Sequence, residues 1–199
     1  MINHKTLCGL AVKWLYRPHS KGGPGCQLAV SEVGGSSPGE ITDAIGWRYD
    51  CSVVVECKTS RADFLADQKK PHRVDPAKGA GVFRYYMCPE GLIDFSERPP
   101  GWGLIYVNKR HHIKPIAGHI NHLRWGKCVE NGWFFEANQQ REKAILISLF
   151  RKIHGDPEEI NRNIRAAYTE RDRWKRRYDD CYHRMVRYGN ELNALRAQE

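Results

Sequence analysis

Ser52-Val53-Val54-Val55-Glu56-Cys57-Lys58 joins a run of valines to a pair of opposite charges. β-Branched residues favour extended backbone, and a short continuous apolar run reads as a strand buried on both faces. Glu56 and Lys58 lie two residues apart, so in a strand they share one face. Charged groups at the edge of an apolar core lose solvation worth several kcal/mol unless they are paired or metal-bound. The segment therefore fits either a salt-bridged strand end or a reactive centre.

The chain just upstream favours chemistry. Glu40 to Trp47 reads as a second extended piece, with Asp43 set among Ile41, Ala44 and Ile45, and Arg48-Tyr49-Asp50 turns it into the valine strand. Neighbouring strands joined in this way let Asp43 and Glu56 converge. Close carboxylates raise each other's pKa, and a divalent cation between them removes the penalty. Oxygen ligands favour Mg²⁺ or Mn²⁺, with the Cys57 backbone carbonyl as a further ligand. Lys58 then stands beside a metal-bound water and helps to position or deprotonate it, while stabilising negative charge on an attacked phosphate. This is the chemistry of phosphodiester hydrolysis. The Cys57 side chain points to the opposite strand face, into the core, which argues against a thiol nucleophile.

Working outward, Leu7, Leu10, Ala11, Trp14 and Leu15 fall on one face of a helix from His4 to Tyr16, stopped by Pro18. Cys26 to Val33 reads as a strand, so that it, Glu40–Trp47 and Cys51–Lys58 form a β-meander. Downstream, Ser60 caps a helix from Arg61 to Lys70, with Asp63 in a capping-box position and Pro71 as terminator. Residues 71–81 read as a basic loop. Val82–Met87, Gly103–Val107 and His111–Ile116 read as further strands, and the pattern turns helical from Asn138 with a break at Gly155-Asp156-Pro157. Helix, three strands, helix and more strands define a mixed α/β core. The domain reading is 1–135 for this core and 136–199 for a helical tail.

Asp43 and Glu56-x-Lys58 resemble the signature of the PD-(D/E)XK nuclease superfamily. The continuation Thr59-Ser60-Arg61-Ala62-Asp63-Phe64-Leu65-Ala66-Asp67-Gln68-Lys69, a Ser-capped helix carrying D-F-x-x-D, resembles the MmcB-like DNA-repair branch and related phage and bacterial proteins. Cys88-Pro89-Glu90-Gly91-Leu92-Ile93 and Pro99-Pro100-Gly101-Trp102-Gly103-Leu104-Ile105 look like strand and loop features of the same group. The similarity spans roughly residues 4 to 118. It implies a restriction-endonuclease-like mixed central β-sheet flanked by helices, with Asp43 and Glu56 as metal ligands and Lys58 as the catalytic lysine. A further acid usually assists in such proteins. Glu32 matches best and Glu40 second, whereas the first helix offers neither Asp nor Glu. Thr42 stands where the family pattern has proline, or arginine in the MmcB-like branch.

Asp63 and Asp67, one helical turn apart, fit either support of the metal site or stabilisation of the first helical turns. Gln68, Lys69, Lys70, His72 and Arg73 form a polar, basic exit from the helix that suits phosphate contact or a solvated helix end. Among the histidines, His119 and His122 are spaced i, i+3, but no third ligand follows at a recognised zinc spacing.

Lys and Arg outnumber Asp and Glu by 32 to 23, a net charge of +9, which favours a polyanionic partner. The seven cysteines show no C-x-x-C pairing, so free thiols in a reducing cytoplasm fit better than disulfides or a zinc ribbon. No signal-peptide pattern or membrane-spanning apolar run occurs. The expectation is a cytoplasmic, Mg²⁺- or Mn²⁺-dependent DNA nuclease of a bacterial or phage-infected cell, acting in repair, recombination or phage DNA metabolism. A catalytically silent DNA-binding or accessory protein and an RNA-processing nuclease are the alternatives.

Ile160, Ile164, Ala167, Arg171, Trp174, Tyr178, Cys181, Met185, Tyr188, Leu192 and Leu195 follow a 4,3 spacing. That seam predicts a coiled-coil-like helix of about 50 Å. Two chains pairing as a homodimer through residues 160–195, or packing of the helix along the globular body, satisfies it equally.

Overall fold

The computed structural model describes residues 2–33, 41–121, 130, 132–152 and 157–196. α1 (His4–Tyr16) starts where the Asn3 side chain accepts the Thr6 N–H at 2.8 Å. Its predicted apolar stripe is buried, with Trp14 and Leu15 fully enclosed. Burying each such side chain contributes roughly 1.5–3 kcal/mol.

β1 (Leu28–Val33), β2 (Thr42–Trp47) and β3 (Ser52–Cys57) form the expected antiparallel meander. β4 (Phe83–Pro89) and β5 (Trp102–Val107) add in parallel, and β6 (Ile113–Ala117) returns antiparallel. The six strands lie in chain order, giving an α/β fold with a mixed sheet. α1 covers one face, packing on Ala44, Val53, Val55, Cys57, Tyr85 and Met87. Phe64 of α2 (Arg61–Asp67) meets Tyr86, Trp102 and Leu104 on the other face. β3 is thus buried on both sides, as its valines required.

Ser60 caps α2 by accepting the Asp63 N–H at 3.2 Å. The helix expected to run on to Lys70 ends at Asp67. A residue before proline is pushed to extended backbone, and Lys70 is extended at φ −68° and ψ 144°. Pro71 therefore opens a further short helix, α3 (Pro71–Val74), where a loop was expected. The buried Arg84 holds the chain beyond it, donating to the carbonyls of Gly81 at 3.0 Å, Pro76 at 2.8 Å and Gly79 at 3.1 Å.

α4 (Gln139–Lys152) belongs with the sheet. Its Ile145 is buried against Val33, Ile45 and Val54. Its Glu142 carboxylate accepts from Ser52 Oγ at 2.6 Å, Gly81 N at 2.8 Å and Trp47 Nε1 at 3.3 Å. The first compact unit accordingly spans Met1–Lys152 and the second Ile153–Glu199, so the boundary expected after residue 135 falls one helix later.

The second unit contains α5 (Pro157–Arg196), a 40-residue helix. Along its seam Ile164, Trp174, Tyr178, Met185 and Tyr188 are exposed. Among the described residues, no helix is long and apolar enough to cross a membrane.

Candidate functional site

Alternation along β3 sends Val53, Val55 and Cys57 into the α1 core. Glu56 and Lys58 emerge together on the α2 side, as their spacing required. Their side chains are 1% and 3% exposed, and the Lys58 Nζ lies 3.6 Å from Glu56 Oε2. The same ammonium is 3.1 Å from Asp67 Oδ1 and 3.9 Å from Asp63 Oδ1. α2 thus aims both of its acids at the lysine that follows β3.

Arg73 of α3 completes a closed network. Its Nε donates to Asp67 Oδ2 at 2.8 Å and its Nη2 lies 3.2 Å from Glu56 Oε1, while the guanidinium stacks 4.5 Å over the Trp102 ring. Tyr86 donates its hydroxyl to Asp67 Oδ2 at 2.8 Å, and Lys70 Nζ lies 2.9 Å from Asp67 Oδ1. Burial works to raise the Asp67 pKa, but the hydrogen bond and charge of Arg73, with Lys58 and Lys70, hold it well below the ordinary carboxylate range. Burial first, and the Asp67 charge second, push the Tyr86 hydroxyl up.

Asp43 follows Ala44 in the β2–β3 pairing just as Glu56 follows its partner Val55, so the two acids sit on adjacent strands at the same level. Their carboxylates have different partners. Asp43 Oδ2 accepts the Cys57 N–H at 2.8 Å, and Oδ1 lies 3.2 Å from His4 Nε2 of α1. Cys8, one turn further along α1, places its sulfur 3.6 Å from His4 Nδ1. The Cys57 thiol is raised well above its ordinary value, first by a hydrogen bond with Cys8 and then by burial.

Glu32 lies on β1 between the pairs Ser31↔Ala44 and Val33↔Thr42, hence across from Asp43. It is exposed, with an uncommon left-handed φ of 54°. Glu40 and His122 lie outside the described residues. Of the basic exit, Lys69 is exposed, Gln68 is half-buried and Lys70 is 42% exposed. His72 is buried, and Arg73, read from sequence as a phosphate contact, is instead drawn inward by the Asp67 and Glu56 carboxylates. His119 is a core residue, stacked 3.6 Å from the Phe83 ring and 2.7 Å from the Tyr85 hydroxyl. An open cavity of about 360 Å³ beside the network is lined by Gln68, Arg73, Arg98 and Trp102.

The contribution of α1 was missed from the sequence because only Asp and Glu were sought there. His4 and Cys8 at i, i+4 were the available signal. Asp67, read from the sequence either as support of the metal site or as stabilising the helix, is the acid that anchors Lys58 at 3.1 Å.

No family model matches the chain, and no curated protein matches it. Among solved structures it is similar to the SPO1766 protein of unknown function from Silicibacter pomeroyi, at 19% identity and a TM-score of 0.35, over 64% of this chain and 83% of that one.

Proposed function

We propose that the chain is a metal-dependent nuclease with a restriction-endonuclease-like sheet of the PD-(D/E)XK type, hydrolysing DNA phosphodiester bonds in repair, recombination or phage DNA metabolism. The observation that carries this reading is Glu56 near the end of β3 and Lys58 just beyond it, 3.6 Å apart on the α2 side, with Asp43 on the neighbouring strand next to the pair Ala44↔Val55.

The donor set suits a hard divalent ion. Asp43 and Glu56 are carboxylates, the Cys57 carbonyl lies between Glu56 and Lys58 in the chain, and Glu32 on β1 is the nearest further acid in register. Bound there, Mg²⁺ or Mn²⁺ supplies Lewis acidity toward water and phosphate oxygen. The Cys57 N–H fixes the orientation of Asp43 through one carboxylate oxygen. Lys58 is the cation placed to neutralise charge developing on a phosphate and to hold a proton there. Asp67 and Arg73 are positioning residues: Asp67 anchors the Lys58 ammonium, and Arg73 orients Glu56. Lys69 and Lys70 after α2, together with the net charge of +9, attract the polyanion, and Gln68 beside them offers its amide to a phosphate.

The test is incubation of purified protein with linear, nicked, branched and single-stranded DNA in Mg²⁺ or Mn²⁺, with RNA substrates in parallel and Lys58→Ala as control. Cleavage by the parent alone supports the reading, and absent or equal cleavage defeats it. One observation favours a second reading, a nuclease-fold DNA-binding protein without turnover. Glu56 and Lys58 are almost fully enclosed, and Arg73 already neutralises Glu56. That protein would shift DNA in a gel without cutting it.

For the second unit we propose homodimer formation through residues 160–195, along the 4,3 seam whose aromatic and aliphatic members are exposed.

A further inference from the structure

Beside the nuclease-like network, α1 and β2 bring together nitrogen, sulfur and oxygen donors. His4 Nε2 lies 3.2 Å from Asp43 Oδ1, and the Cys8 sulfur lies 3.8 Å from the same nitrogen. One donor atom from each of His4, Cys8 and Asp43 falls within 4.8 Å of the other two. With metal–ligand bonds of about 2.0 Å to N or O and about 2.3 Å to S, a tetrahedral zinc site has edges of roughly 3.3–3.6 Å. The side chains therefore stand close to the spacing such an ion imposes.

We propose that His4, Cys8 and Asp43 form a binding site for a borderline-soft divalent cation of the Zn²⁺ or Co²⁺ class. The donor set is wrong for Mg²⁺, because thiolate and imidazole select softer ions. Its geometry is built from rigid parts. His4 and Cys8 share one face of α1 at i, i+4, the spacing at which two ligands from one helix converge. The Cys57 N–H holds Asp43 Oδ2 at 2.8 Å, which leaves Oδ1 turned toward His4. Cys8 is buried, whereas the His4 side chain is 42% exposed, so the site has an apolar floor and an open side for entry. On binding, the Cys8 thiol releases its proton to solvent and its sulfur bonds the ion as thiolate. Asp43 is common to this site and to the proposed nuclease centre, so a soft ion here would draw that carboxylate away from a hard one.

The test is titration of the full-length, reduced protein with Co²⁺, following thiolate-to-cobalt charge transfer and ligand-field absorption, then displacement by Zn²⁺. A Cys181→Ser background removes the thiol that is exposed among the described residues. The expected result is one equivalent bound with a thiolate band, the band lost in Cys8→Ala and binding weakened at least tenfold in His4→Ala. His4 is partly exposed, so His4→Ala keeps the test informative if loss of the buried Cys8 disturbs folding. No thiolate band in the folded parent, or unchanged Co²⁺ affinity in His4→Ala, overturns the proposal. DNA cleavage in Mg²⁺ without any thiolate band would likewise overturn it, while leaving the nuclease reading intact.

Discussion

The ammonium of Lys58, the residue after β3, stands 3.1 Å from the Asp67 carboxylate at the end of α2, with side chains 3% and 0% exposed. Two ionised groups this deep are tolerable only together, since removing one partner of a buried pair leaves an uncompensated charge and costs about 3–5 kcal/mol. Arg73, Lys70 and Tyr86 also converge on Asp67, so its loss strands several groups at once. Asp67→Ala is expected to lower unfolding free energy by about 3–5 kcal/mol, read from the midpoint of urea denaturation.

The same carboxylate sets a pH response. Its folded pKa is lowered, overall by Arg73, Lys58 and Lys70 against the opposing effect of burial. Its contribution to stability is therefore complete above the unfolded-state value of about 3.9 and is lost as pH falls through the folded value. Between neutrality and about pH 5 this group adds no slope; below about pH 4 stability falls. Denaturation midpoints measured from pH 7 to pH 3 should show that fall in the parent and a shallower one in Asp67→Asn.

Activity should separate Lys58 from its anchor. If Lys58 neutralises charge on the attacked phosphate, Lys58→Ala lowers kcat by about 100- to 1,000-fold, the usual effect of removing one preorganised stabilising group. Asp67→Asn retains the ammonium but loosens it, so a smaller loss is expected. Initial rates of DNA cleavage in Mg²⁺, with circular dichroism to verify folding, measure both. Equal losses in the two variants would count against a distinct chemical role for Lys58.

The parts of this architecture set by local rules were legible in the sequence. Period-two alternation put Glu56 and Lys58 on one face and Cys57 on the other, and Ser60 marked the start of α2. Long-range pairing was less accessible. Nothing local distinguishes Arg73 at an exposed helix exit from Arg73 drawn between two buried acids, because the distinction depends on β3 lying beneath α3. Pro71 misled for a related reason: proline both stops one helix and opens another, and the extended Lys70 decided between these roles. His4 escaped notice because its partner Asp43 is far along the chain.

The unit boundary gives a prediction about truncation. Glu142 of α4 ties Ser52, Gly81 and Trp47 together, and Ile145 fills the core beside Val54. A fragment of residues 1–152 should fold cooperatively, whereas 1–135 should lose several kcal/mol or fail to fold, since it exposes apolar surface and strips the Gly81 N–H of its acceptor. Urea melts followed by tryptophan fluorescence compare the two. Equal midpoints would place α4 outside the folding unit.

The tail gives the last prediction. Trp174, Tyr178, Met185 and Tyr188 recur at coiled-coil spacing along α5 and are 61%, 69%, 62% and 66% exposed. Pairing two such helices would bury these side chains, and burial of each contributes roughly 1.5–3 kcal/mol before the cost of association is subtracted. The cationic flank of Arg173, Lys175, Arg176 and Arg177 opposes close approach of identical charges, so dimerisation should strengthen with salt. Sedimentation equilibrium of the full chain at low and high ionic strength is expected to show a monomer–dimer equilibrium that tightens with salt. The 1–152 fragment should remain monomeric, and Tyr178→Glu with Met185→Glu should abolish pairing of the full chain by placing buried charge in the seam. A full chain that stays monomeric under all these conditions would leave the seam without this role.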